Sequence, residues 1–395
     1  MASGLLPSIW QRTTAMPVAI ARRDWAYKVP GARDLRLDWL RGYATMAMVV
    51  DHLGSSSYLH VITGGNNFFV SAAEGFVFIS GMIVGVVYGD TARKEGLNSA
   101  ARKALLRAWT LYKLTVVLTI AFVALVLREN LPWSSWLDPT DPTQFLLGVI
   151  TLRRTFVFVD IPLMYTFLML LAPAGLLLLR AGRTWLLLVC SWAIWFGYQL
   201  SPIQQAIPTV VEGNWIFKLP AWQLLFFNAM ALGYGRHDLA RRLQALRPTT
   251  RYLYFAGVAS LLALLILLFV QQEQILAYVL PEEQSKALVS ALFDKSSLAP
   301  GRLFAALVVF QFSYMAVTYF WAPLSRLGWL VPMGQNSLYA YTMHVAFLVM
   351  FYALIPYLAF YSAFEITVNT VGQLLALAAI YVMIQKKFLF NIVPR

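Results

Sequence analysis

Residues 252–270 read Tyr-Leu-Tyr-Phe-Ala-Gly-Val-Ala-Ser-Leu-Leu-Ala-Leu-Leu-Ile-Leu-Leu-Phe-Val, a run without a single charge. As a helix it rises about 28 Å at ~1.5 Å per residue, close to the hydrocarbon thickness of a bilayer. It is apolar on every face, so lipid or other apolar helices must surround it. Comparable runs recur at about 39–58, 67–88, 104–127, 156–179, 184–200, 220–235, 302–322, 336–357 and 367–385. Together they predict an all-α polytopic membrane protein, a bundle of about ten transmembrane helices. The runs 184–200 and 220–235 are the shortest. The stretch 143–152, Thr-Gln-Phe-Leu-Leu-Gly-Val-Ile-Thr-Leu, is too short to cross and is expected to form a re-entrant or interfacial helix.

Charge placement sets the expected orientation. Basic residues cluster in alternate connections: Arg12, Arg22, Arg23, Lys28, Arg33 and Arg36, then Arg93 to Arg107, Arg180 and Arg183, Arg236 to Arg251, Arg326, and Lys386, Lys387 and Arg395. The intervening connections are acidic, mixed or uncharged, with Glu129, Asp138 and Asp141, Glu212, Glu273, Glu282, Glu283 and Glu365. Positive charge stays on the cytoplasmic side of membrane proteins, so both termini are expected there. Residues 1–36 read as a cytoplasmic segment and 37–395 as one membrane domain. No apolar core of a cleavable signal peptide occurs in the first forty residues.

Composition excludes several classes. The net charge of +13 sits between apolar runs rather than in a continuous patch, so nucleic acid is not an expected partner. One cysteine, Cys190, supports neither a disulfide framework nor a thiolate site. The four histidines, His52, His60, His237 and His344, lack metal-ligand spacing, and no metal or permanently bound cofactor is expected. Gly81, Gly85 and Gly89 form a small-residue stripe that reads as helix packing.

The first run holds ionisable residues where they are expensive. Arg41 and His52 are eleven positions apart, roughly 16 Å along one helical face, and Asp38 lies on nearly the same face. His52 is the candidate for moving a proton, as a catalytic base or as a transporter relay. A buried, hydrogen-bonded histidine is the plain alternative, as a simple Asp38–Arg41 ion pair is for the stripe. Glu74, in Ser71-Ala-Ala-Glu-Gly, is expected at a similar depth. It would either orient the imidazole or pair with a basic residue. Ser337, Tyr341 and His344 share a face, as a hydrogen-bond network or as a second base site. Asp160, Tyr165, Trp222 and Gln223 could line a sugar-accepting pocket by stacking and hydroxyl hydrogen bonds. Arg102, Lys103 and Arg107 read as positive-inside bias or as a dock for the phosphates of an anionic donor.

Several segments together resemble the OpgC family. They are Arg33-Asp-Leu-Arg-Leu-Asp-Trp-Leu-Arg-Gly42, Asp51-His52, Ala72-Ala-Glu-Gly-Phe-Val-Phe-Ile-Ser-Gly81, Asp160-Ile-Pro-Leu-Met-Tyr165 and Ala221-Trp-Gln-Leu-Leu-Phe226. That family is similar to the acyltransferase-3 proteins and the heparan glucosaminide N-acetyltransferases. The spacing from Arg41 to His52 resembles the acyltransferase-3 motif, which implies a catalytic role for His52. The segment from Arg102 to Tyr112 resembles that group's acyl-donor region, and His344 sits in an acyltransferase-3-like stretch. His60 falls near an outward-side histidine of the N-acetyltransferases, a second candidate base. The resemblance implies an O-acyltransferase in the bacterial inner membrane. Succinyl-CoA or acetyl-CoA would be its co-substrate and an extracytoplasmic glucan or other polysaccharide its acceptor. The rival from another class is a proton-coupled transporter or glycan flippase, though no internal repeat supports it.

Overall fold

The computed structural model describes residues 26–28, 33–137, 141–200, 211–278 and 280–395. Arg12, Arg22, Arg23 and Asp138, used above for orientation, lie outside the described residues. Sixteen α-helices follow one another among the described residues: α1 (Leu35–His52), α2 (His60–Thr63), α3 (Ala72–Lys94), α4 (Leu97–Arg128), α5 (Pro142–Ile150), α6 (Asp160–Arg180), α7 (Thr184–Leu200), α8 (Leu219–Tyr234), α9 (Arg236–Ala245), α10 (Pro248–Ala277), α11 (Glu282–Phe293), α12 (Pro300–Tyr319), α13 (Trp321–Leu324), α14 (Leu330–Gln335), α15 (Ser337–Leu354) and α16 (Tyr361–Gln385).

Among the described residues, seven helices are long and apolar enough to cross a membrane: α3, α4, α6, α10, α12, α15 with its extension to Tyr357, and α16. The protein is therefore a membrane-embedded, multi-pass helical bundle. The other three expected runs form α1, α7 and α8, which are shorter or carry more charge. The run 39–58 ends early, because the helix stops at His52 and Leu53 is extended. Gly54 takes a left-handed φ of 79°, and the Asn369 side chain occupies the place a Cβ would need. Helix α10, charged only at Arg251 and Glu273 towards its two ends, buries only Val258 and Leu265 and leaves most of its remaining surface to the surroundings. That is the disposition expected of a lipid-facing span.

Glycine decides two close approaches. Gly81 and Gly85 of α3 lie against the backbone carbonyls of Phe226 and Met230 in α8, so a Cβ at either would overlap α8. The glycine stripe is thus a packing surface. Likewise Gly42 of α1 abuts the Leu330 carbonyl, and Gly334 of α14 abuts that of Asp38. These contacts seat α14 directly on the first helix.

The two ends of the bundle differ in charge. Arg93 donates to the Tyr234 carbonyl at 2.6 Å, Arg180 to Ala92 at 2.9 Å, and Arg236 to Asp90 at 2.6 Å. The α3–α4, α6–α7 and α8–α9 connections therefore meet at one basic end. At the other end, Trp195 bonds Leu298 at 3.1 Å and Lys295 bonds Asn66 at 3.3 Å. The short helix α5 ends between the two ends of the bundle. Its last carbonyl, Ile150, accepts from the Tyr112 hydroxyl at 3.0 Å, midway along α4. The segment 141–159 thus reaches the middle of α4 on the outer face of the bundle, with only Val149 of α5 buried, and returns.

Candidate active site

Helix α1 delivers His52 in its last turn, at the end remote from the basic connections. The C-terminal carbonyls of a helix lack internal partners. Here Gln373 of α16, fully buried, donates to Val50 at 2.9 Å and to Leu53 at 2.7 Å. Asn369, one turn earlier, donates to the Ser56 carbonyl at 2.9 Å. Two buried amides therefore hold the chain reversal that presents the imidazole. Neither stood out in the sequence, because a lone Gln or Asn in an apolar helix has no pattern around it.

The ring of His52 meets His344. Its Nδ1 lies 3.0 Å from His344 Nε2, with the ring centroids 5.2 Å apart. His344 Nδ1 is in turn hydrogen-bonded to the Tyr341 backbone carbonyl. A carbonyl only accepts, so His344 Nδ1 carries the proton and its Nε2 holds a lone pair. That lone pair accepts from His52 Nδ1–H. His52 Nε2 is left unprotonated, and the residue is partly buried while His344 is wholly buried. The bond network assigns the tautomers, with the carbonyl as its fixed end. Such an arrangement offers a base at His52 Nε2.

A strained loop covers the imidazole. Phe158 has φ of 66°, a conformation costly for a bulky residue, and its ring lies 4.9 Å from that of His52. The Tyr341 hydroxyl holds the Phe158 carbonyl, and Trp133 packs on its ring edge-on at 5.2 Å. Tyr341 therefore fixes both His344, through its carbonyl, and the covering loop, through its hydroxyl. Ser337, one face-turn away, is buried, and its hydroxyl meets no partner.

Glu74 sits elsewhere. Its carboxylate accepts from the Ser71 amide at 2.9 Å and the Ser71 hydroxyl at 2.6 Å, closing a capping box at the start of α3. The other oxygen pairs with Arg302 of α12, and both residues are almost completely buried. No bond joins Glu74 to His52 among the described residues. Of the two readings open for Glu74, the structure builds the ion pair with a basic residue.

The remaining candidates divide by depth. Asp38 forms a two-pronged ion pair with Arg33, at 2.6 and 2.8 Å, rather than with Arg41. Arg41 lies 5.5 Å over the Phe76 ring, its buried Nε has no partner, and its charge interacts with that of Arg107. Arg107 donates to the Arg395 carbonyl at 2.6 Å, Lys103 pairs with Glu95 at 2.8 Å, and Arg102 is exposed. Tyr165 bonds the Phe76 carbonyl at 3.0 Å, level with Arg41 rather than with His52. Asp160 opens α6 nearly buried, bonded to its own helix at Ile161, with no ion pair among the described residues.

Trp222 and Gln223 are interior. Trp222 is 0% exposed and donates to the Ile216 carbonyl at 3.1 Å. Gln223 exchanges bonds with Ser191, at 2.8 Å each way, and so ties α8 to α7. His60 lies on α2 against Gly65, its buried Nε2 unpartnered, and it makes no bond to His52. Lys295 was missed by sequence reasoning. It is partly buried, and its charge interacts with those of Glu74, Arg302, Asp160 and Asp51. Burial pushes its ammonium below the ordinary lysine range, with Glu74 opposing that shift and Arg302 adding to it. No group of three or more His, Cys, Asp or Glu side chains converges as a metal site among the described residues.

Comparison with known families matches residues 33–388 to the family described as OpgC protein. No curated protein and no solved structure gives a match.

Proposed function

The chain belongs to the OpgC family, which makes it a membrane acyltransferase for glucan modification, and on that premise we propose how its residues divide the reaction. The acyl group, succinyl or acetyl, leaves an acyl-CoA on the cytoplasmic side of a bacterial inner membrane. It arrives on a glucan or other polysaccharide hydroxyl on the far side. The topology that serves this is ten crossings, with α1, α7 and α8 as the short ones and both termini cytoplasmic. The basic end, where Arg93, Arg180 and Arg236 gather, is then the cytoplasmic face.

The observation that carries this reading is the chain Tyr341 carbonyl–His344–His52, which leaves a lone pair on the His52 imidazole. His52 Nε2 takes the proton of the acceptor hydroxyl as its oxygen attacks the thioester carbonyl. The tetrahedral intermediate collapses, the C–S bond breaks, and the thiolate leaves with the proton from His52. His344 keeps Nδ1 of His52 hydrogen-bonded in both protonation states and so shares the positive charge. Asp160, buried near the same end, receives the acceptor. Arg102, Lys103, Arg107 and Tyr112 form the approach for the donor. Arg41, which forms no ion pair among the described residues, stands between that approach and His52 as an anion contact. Glu74 supports the site by fastening α3 to α12, and Asp38 by anchoring the start of α1. His60 stands beside the site rather than in the relay.

The test is acylation of a glucan by purified protein in liposomes, read by mass spectrometry with acyl-CoA supplied on one side only. Wild-type protein adds the acyl mass to the glucan, and His52→Ala protein does not. Wild-type rates from a folded His52→Ala protein would falsify the assignment. Flux of unmodified glycan without any acylated product would instead favour the transporter.

A further inference from the structure

Next to the loop that covers His52 lies a cavity of about 480 Å³. Trp136, Phe145, Arg154, Thr155 and Trp215 line it, together with Glu212. Two features set this cavity apart. Trp136 and Trp215 are 62% and 71% exposed, although each is the kind of side chain that burial would favour. The Thr155 hydroxyl, by contrast, is buried and has no hydrogen-bond partner. A buried hydroxyl left unpaired is destabilising unless something supplies the partner.

The walls are built rather than loose. Arg154 and Glu212 pair both by side chain and by backbone: Thr155 N–H donates to the Glu212 carbonyl at 2.8 Å, and Glu212 N–H donates to Arg153 at 2.9 Å. Gly213, with φ of 81°, packs where a Cβ would strike the Thr155 carbonyl. The same short loop continues through Phe156 to Phe158, whose ring rests on His52.

We propose that this cavity binds sugar units of the acceptor polymer away from the hydroxyl that reacts. Exposed indole faces stack on the apolar faces of pyranose rings. The Glu212 carboxylate, 63% exposed, accepts from sugar hydroxyls, and the Arg154 guanidinium donates to them. Tryptophans of an interfacial belt also lie exposed, but a belt calls for neither an ion-paired wall nor an unpaired hydroxyl. The polymer's identity rests on the acyl-transfer reading. The existence of a glycan site does not, because binding needs no imidazole.

Binding of a soluble gluco-oligosaccharide to full-length protein in detergent, followed by calorimetry, tests it. Trp215→Ala and Trp136→Ala should each weaken binding about tenfold or more. Glu212→Gln should weaken it less, and His52→Ala should bind as wild type. In acylation assays the two tryptophan variants should raise KM for long glucans and leave kcat near wild type. Unchanged affinity and KM in both tryptophan variants overturn the proposal, as does a wild-type protein that binds no oligosaccharide. Loss of affinity for lipid vesicles with intact glucan binding makes the tryptophans membrane anchors and also overturns it. Glucan binding lost in Trp215→Ala, in a protein that acylates nothing, would keep the site and discard the acyl-transfer reading.

Discussion

His52 and His344, 292 positions apart in the chain, share one hydrogen bond of 3.0 Å between Nδ1 and Nε2. The bond is directional because the Tyr341 carbonyl fixes the proton on the far side of His344. Two histidines that compete for the role of base in the sequence are thus consecutive members of one relay. Only the first has a nitrogen free to face a substrate.

The relay predicts unequal effects of substitution. His52→Ala should abolish turnover. His344→Phe should lower kcat about a hundredfold, the usual scale of a general-base contribution, by removing the acceptor that sets the His52 tautomer. His344→Gln offers an amide oxygen to the same Nδ1–H and should recover part of the loss. Steady-state kinetics on the three folded variants check this, and equal rates for His344→Phe and His344→Gln would contradict it.

Gln373 should act as a positioning residue. Gln373→Leu leaves the Val50 and Leu53 carbonyls without their buried donor, at a cost of about 1–3 kcal/mol for each unsatisfied group. Melting temperature should fall and kcat should drop while KM for the acyl donor stays put, since the donor approach lies at the other end. Gln373→Glu, kept protonated by burial, should restore part of kcat. A fall in stability with unchanged kcat would make Gln373 purely structural.

The Glu74–Arg302 pair predicts a stability effect rather than a catalytic one. Arg302→Met strands a buried carboxylate and should cost about 3–5 kcal/mol. The double variant Arg302→Met with Glu74→Gln should be less destabilised than Arg302→Met alone. If Glu74 instead orients His52, Glu74→Gln would lower kcat sharply with the melting temperature intact.

Asp294 gives a pH dependence outside the spans. Burial pushes its carboxyl up, but the Ser297 hydroxyl and amide and the Ser296 hydroxyl donate to it and hold it below the ordinary carboxylate range. A depressed folded value means the carboxylate contributes stability above its unfolded pKa, about 3.9, and loses that contribution as pH falls through the folded value. Thermal unfolding of wild type and Asp294→Ala should therefore differ most near neutral pH and converge below about pH 4. A gap that widens in acid would reverse the sign.

Close approach of backbones predicts the last effect. Gly334→Ala would put a methyl group into the Asp38 carbonyl and push α14 off α1. Expression and melting temperature should both fall, whereas Gly257→Ala on the open face of α10 should be tolerated, since nothing lies where its Cβ would be. Equal stability of the two variants would argue against the α1–α14 contact.

Much of this architecture is written locally. Apolar length predicts the helices, and glycine spacing predicts a packing face on α3, though not that α8 meets it; both are properties of a few turns that need no knowledge of neighbours. The apolar run 39–58 is longer than α1 because hydropathy is blind to the turn at Gly54 and to the amides of α16 that hold it. Trp222 and Gln223 have the composition of a sugar site, yet Ser191 and Ile216 satisfy them inside the bundle. Composition cannot distinguish a polar group paired with protein from one waiting for a ligand.

By itself the sequence determined the helical membrane class, the alternation of basic connections and His52 as a residue worth explaining. Those follow from the cost of placing charge and unpaired backbone in an apolar medium, which acts residue by residue. Only the tertiary structure decided that His52 faces His344, that Glu74 answers Arg302, and that Gln373 caps the helix carrying the imidazole. Successive residues turn about 100° around a helix, so small differences in rotation and contact choose which polar groups meet. Those choices belong to the packing of distant helices against one another, and no local pattern records them.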